Sequence, residues 1–258
     1  MKDLIRIRVD IADYIAVVTM DYPPVNAQDR QFHEEMTLAF DRFSEMSNVR
    51  VVILTGAGKV FSAGADIKSR ATVAWAPGER WQHTRRAREC FNSICECRKP
   101  VIGAINGPAL GAGLALAASC DILLAADTAS LGLPEISLGR IGGARHAMRL
   151  FGHSLARRMV LTGHRVPGPE LYRLGVVEAC VPAGELMAKA TEIARDIASK
   201  SPIGIRHAKQ ALNAIEEMSL RDGFRIEQEM TTLLTGSEDT EEAVRAFLEK
   251  RPAVFKER

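Results

Sequence analysis

The opening of the chain alternates, with Ile5, Ile7 and Val9 apolar and Arg6, Arg8 and Asp10 charged between them. A period of two is that of a half-buried strand, so strands are predicted over 4–9 and 14–20. Further along, aliphatic and β-branched runs without alternation predict buried strands over 51–55, 101–105, 122–126 and 176–181. Phe32, Met36, Phe40 and Phe43 recur at helical spacing and predict a helix over 31–46. Helices over 78–97 and 110–119 complete an alternation of strand and helix, the pattern of parallel βαβ crossovers.

Beyond residue 142 the pattern turns helical almost throughout, over 144–151, 154–162, 168–174, 183–200, 203–217, 220–235 and 239–250. Asp239 followed by Glu242 reads as a capping box opening the last of these. The expected organisation is an α/β core over 1–200 and a C-terminal helical region over 201–258.

One stretch, 101–120, carries no charge and would span a bilayer if helical throughout. Gly103, Asn106, Gly107, Pro108, Gly111 and Gly113 interrupt it, so it is predicted as buried strand, tight turn and buried helix. The N-terminus lacks the apolar centre of a signal peptide, and a cytoplasmic location is expected. At 258 residues with 47% hydrophobic content, the chain buries a core without staples. Its 34 Lys+Arg against 32 Asp+Glu give a net charge of +2, too little to draw a nucleic acid or an acidic membrane. The 5 cysteines are odd in number and lack a paired C-x-x-C spacing, which predicts free thiols in a reducing compartment and no metal site.

Several enzyme motifs fail. GAG at Gly111 is followed by LAL, without the third glycine of a dinucleotide fingerprint. Gly58-Lys59 lacks the rest of a phosphate-binding loop, and no serine sits in G-x-S-x-G. Two turns of small residues remain, KVFSAGADIK (59–68) and INGPALGAGLALA (105–117). Small side chains let a ligand approach the backbone, and N–H groups at a helix start lack intrahelical acceptors. Two such donors converging on one point would stabilise an oxyanion. Close packing of a buried turn would call for the same residues, so both explanations stand.

These two turns, LPEISLGRIGG (133–143), MVLTGHRV (159–166) and the early PPVNA (23–27) together resemble the enoyl-CoA hydratase/isomerase family, the crotonase superfamily. The resemblance runs through essentially the whole chain in matching order. It implies an α/β, crotonase-like fold of repeated ββα units with a C-terminal helical trimerisation region. It also implies an acyl-CoA substrate, assembly as a trimer or dimer of trimers, and no cofactor, coenzyme A being part of the substrate. By position, the backbone N–H groups of Ala65 and Ala112 match the oxyanion donors and Glu135 matches the catalytic base. Ala63, Asp66, Ile67 and Lys68 match the coenzyme A channel, and Gly143 matches a backbone position beside the reacting carbon. Phe255 and Lys256 match a closing segment that reaches coenzyme A across a subunit boundary.

The chain departs from the hydratase pattern at Ala115, where hydratases of the family carry a second glutamate. Addition of water then needs another group, whereas moving a double bond needs one carboxylate to carry a proton between two carbons. The expected reaction therefore leans to 3-enoyl to 2-enoyl-CoA isomerisation, with hydration or a catalytically silent acyl-CoA binder as alternatives. A second departure is Arg145-His146, with Arg140 and Arg149 nearby. His146 replacing the missing acid, Arg145 holding a substrate carboxylate, and a solvated helix face are all open. The other histidines, His33 and His83 among them, have no metal or triad spacing and read as surface or core residues. The acyl pocket is expected from variable segments such as 71–81.

Overall fold

The computed structural model describes residues 4–67 and 74–257. Its central sheet has six strands, in the order Ile7–Ala12, Ile15–Met20, Val51–Gly56, Val101–Ile105, Ile122–Ala126 and Ala179–Val181. The first two are antiparallel, and every later pairing in this sheet is parallel. Val51, Val52, Ile53 and Leu54 are wholly buried, which explains a run that is apolar without alternation. The opening strand begins later than its alternation suggested. Ile5 is 64% exposed and lies before it, while Ile7 is buried against the sheet. The carboxylate of buried Glu35 accepts the N–H groups of Ile5, Arg6 and Ile7 and holds this entry in place.

The helix Arg30–Glu45 forms as its spacing predicts. Asp29 caps it by accepting the Phe32 N–H at 2.7 Å, and Phe32, Met36, Phe40 and Phe43 are all buried beneath it. Residues 101–120 form the strand Val101–Ile105, the short strand Pro108–Leu110 and the buried helix Ala112–Ala118. Among the described residues no helix is long and apolar enough to cross a membrane.

Two small sheets escape the sequence pattern because their strands are only two or three residues long. Ala27–Gln28 pairs with Gly64–Ala65, and Pro108–Leu110 and Arg165–Pro167 flank Ser130–Gly132. Helices Pro202–Ile215, Leu220–Leu234 and Glu238–Glu249 close the chain. Buried Lys209 returns to the first half, with Nζ at 2.8 Å from an Asp121 carboxylate oxygen and 3.1 Å from the Lys99 carbonyl. The last helix corrects the predicted capping box: Ser237 is its cap, accepting the Thr240 N–H. Asp239 is instead 1% exposed and accepts the N–H groups of Lys256 and Glu257.

Candidate active site

The strands Val51–Gly56 and Val101–Ile105 each run into one of the small-residue turns, and the two turns are stitched together. The Ser62 N–H donates to the Pro108 carbonyl at 3.2 Å, and the Leu110 N–H donates to the Ser62 carbonyl at 2.9 Å. The Ser62 hydroxyl donates to the Asn26 carbonyl and accepts from Gln28 Nε2 and the Gly64 N–H, which uses its whole bonding capacity.

Asn26 anchors the first turn. Its backbone is left-handed, with φ of 53°. Its side-chain amide donates to the carbonyls of Val60 at 2.8 Å and Ala57 at 3.0 Å, and its Oδ1 accepts the Tyr22 N–H. Asn26→Ala strands those buried groups and is expected to cost about 2–3 kcal/mol, read from urea unfolding.

Glu135 stands on the 3₁₀ turn Pro134–Leu138, just after the strand Ser130–Gly132. Its carboxylate lies directly over the second turn. A Cβ built on Gly111 would fall 2.4 Å from Glu135 Oε1, so a side chain there would displace the carboxylate, and the φ of +58° at Gly111 favours glycine. Glu135 Oε2 is buried without a hydrogen-bond partner. Burial pushes the carboxyl pKa above the ordinary range, against a smaller opposing pull from the residue's own backbone N–H.

A cavity of about 650 Å³ opens here and brings Glu135 together with Ala63, Ala65, Ile67, Ala112 and Gly143. Ala115 also faces it, so this position offers a methyl group and no carboxylate. Asp66 is not among the lining residues, and its N–H donates to the Gln28 carbonyl. Lys68 falls outside the described residues. Phe255 and Lys256 do not line this cavity within one chain, lying on the segment tied to Asp239.

The other wall departs from expectation. His33, only 1% exposed, and His83 both line the cavity, with Thr84, Ala87 and Phe91. The signal was the spacing of 83, 84, 87 and 91, one face of the helix Glu79–Glu96. Of the segment expected to form the acyl pocket, 71–73 fall outside the described residues, and Trp81 is 74% exposed and off the lining.

The cationic cluster separates. Arg145 pairs with Glu217, while Arg149 pairs with Glu216 and donates to the Ala118 carbonyl at 2.7 Å. Arg145 is thus an exposed ion pair outside the cavity lining and is not placed to hold a substrate carboxylate, whereas Arg140 and His146 do line the cavity. Burial, then the charges of Arg149 and Arg145, push the His146 pKa down, which favours a neutral imidazole. Among the described residues no group of three or more His, Cys, Asp or Glu is placed to hold a metal ion.

The family model described as enoyl-CoA hydratase/isomerase matches residues 10–258. The chain is 38% identical over 241 residues to a Dictyostelium discoideum protein named "Probable enoyl-CoA hydratase, mitochondrial", covering 92% of this chain and 86% of that one. It is 36% identical to the short-chain-enoyl-CoA hydratase of Clostridium acetobutylicum, covering 92% of each. The crystal structure of enoyl-CoA hydratase from Bacillus anthracis superposes with a TM-score of 0.93 at 36% identity, covering 98% of this chain and 100% of that one.

Proposed function

The chain belongs to the enoyl-CoA hydratase/isomerase family of enzymes acting on acyl-CoA, and from that premise we propose that it is a cytoplasmic, cofactor-independent enzyme in which Glu135 shuttles a proton on a thioester enolate. The N–H groups of Ala65 and Ala112 hold the thioester oxygen. The Glu135 carboxylate takes a proton from C2 of a 3-enoyl-CoA, the electron pair moves toward the held oxygen, and the same proton returns at C4 to give the 2-enoyl-CoA. The observation that carries this is the Glu135 carboxylate directly over the turn leading into Ala112, in one cavity with Ala65.

Ala63, Asp66, Ile67 and Lys68 form the coenzyme A channel in this proposal, Gly143 approaches the reacting carbon, and Phe255 and Lys256 reach coenzyme A on a neighbouring subunit. The region 201–258 makes the assembly, a trimer or dimer of trimers. It is supported by Leu220, Phe247 and Leu248, exposed by 91%, 82% and 73% in a single chain. Light scattering on the purified protein is expected to return three or six chains, and a monomer would refute this assignment.

Hydration is the second reading, favoured by the names of the relatives and by His146, whose pKa burial pushes down, facing the same cavity. Supplying 3-enoyl-CoA and 2-enoyl-CoA separately decides between them. The isomerase reading expects rapid conversion of the first with little water added to the second, and fast hydration of the second overturns it.

A pH profile follows from the burial of Glu135. The base works as carboxylate, so kcat/KM is expected to rise with pH, with slope one, through an apparent pKa above the ordinary glutamate value of about 4.3. A profile flat from pH 4 to pH 8 would remove Glu135 as the base.

A further inference from the structure

The cavity that holds Glu135 also carries an array of rings. Trp75 and His83 lie with centroids 5.4 Å apart, His83 and His33 6.0 Å, His33 and Phe91 6.5 Å, and Phe91 and His146 5.4 Å. The pairs of His33 and His146 with Phe91 are edge-on, with interplanar angles of 77° and 73°. Four of these rings, His33, His83, Phe91 and His146, line the cavity itself.

From this array we infer that the acyl compartment selects a planar aromatic acyl group, an aryl-substituted enoyl thioester. The inference rests on the acyl-CoA reading above and names the class of acyl group that site takes. A saturated chain is held by burial alone, which any aliphatic lining supplies without regard to direction. Rings impose geometry: each presents a negative face and a positive edge, and another ring gains by meeting them edge to face or offset. Ile67, Leu138 and Ile141 supply the cavity's aliphatic lining, and four further lining positions are given to rings packed against one another, which favours an occupant that shares this preference. Ala87 and Ala115 bring only methyl groups to the same cavity and leave room for a ring. The whole cavity, which the proposal shares between the acyl group and the entry of coenzyme A, has about 650 Å³, within the range of small-molecule sites.

The test uses saturated thioesters, which the enzyme can bind but neither hydrate nor isomerise. The full chain is titrated calorimetrically with 3-phenylpropanoyl-CoA, 3-cyclohexylpropanoyl-CoA and butanoyl-CoA. The phenyl and cyclohexyl esters match in size and differ in planarity and ring electrons. The phenyl ester is expected to bind about fivefold more tightly than the cyclohexyl ester. Phe91→Leu is expected to erase that difference while leaving cyclohexyl binding unchanged. His83→Leu, at the more open end of the array, repeats the test away from the core. Equal binding of the two ring esters by the unmodified protein, or a variant that weakens both alike, overturns the inference and leaves the acyl-CoA reading standing. Failure to bind any of the three esters overturns both.

Discussion

Glu135→Gln is expected to lower kcat by about 10³-fold, within the range for removing a positioned general base, while binding of an unreactive acyl-CoA holds within about twofold. The amide keeps the shape of the carboxylate and lacks a basic oxygen. The Gly111 turn beneath it, with its φ of +58°, is left undisturbed. Stability moves in the opposite direction. Burial raises the folded-state pKa of Glu135 above that of the unfolded chain, so the folded protein favours the protonated form. The resulting stabilisation is complete below the unfolded pKa and is lost as pH rises through the folded one. Above the unfolded pKa, burial of this partly buried carboxyl therefore comes at a cost, and the neutral amide removes that cost. Glu135→Gln should melt higher than the parent at pH 7, with the gap closing toward pH 4. An unchanged kcat would refute the assignment of Glu135 as base.

Much of this arrangement is legible in the chain, and what is not has physical reasons. The helix Arg30–Glu45 and the strand Val51–Gly56 are read directly because the helix buries one face along its length and the strand both of its faces, so side-chain type reports position. The strands Ala27–Gln28 and Gly64–Ala65 are too short to carry any period, yet they bring the first turn to the site. The ion pairs of Arg145 with Glu217 and Arg149 with Glu216 join residues some seventy positions apart, and no local pattern distinguishes them from a cluster free to bind substrate. Asp239 has the spacing of a cap, but Ser237 caps, because the carboxylate serves the closing segment instead. Glu135 is the sharpest case. Beside Pro134 it resembles any surface glutamate, and only the resemblance to relatives singles it out; the structure adds the carboxylate over Gly111 and the unpartnered Oε2.

Gly64→Ala is expected to cost about 10²- to 10³-fold in kcat without touching a side chain that could do chemistry. Gly64 precedes Ala65 in the first turn and has φ of +85°. A Cβ there would fall 2.5 Å from the Leu110 carbonyl oxygen and 2.9 Å from the Ala112 nitrogen, both backbone atoms of the second turn. Backbone held by the Ser62 bonds on either side cannot yield as a flexible side chain would, so the two turns must separate. The separation falls between Ala65 and Ala112, whose N–H groups aim at one oxygen in the proposed mechanism. Charge stabilisation in an oxyanion hole depends on that preorganisation, and a displaced donor loses most of its contribution. Gly58→Ala supplies the control. Gly58 also has a left-handed backbone, φ +71°, but its Cβ would meet nothing within 4 Å. Both variants should lose about 1–2 kcal/mol of stability to the forced left-handed alanine, seen as a lower urea midpoint, and Gly64→Ala more than Gly58→Ala because its Cβ also meets backbone. Only Gly64→Ala should lose turnover beyond that, at pH values where Glu135 is ionised and with the pH profile itself unmoved. Equal kcat in the two variants would mean that the approach of the turns serves packing, and that the oxyanion is held elsewhere.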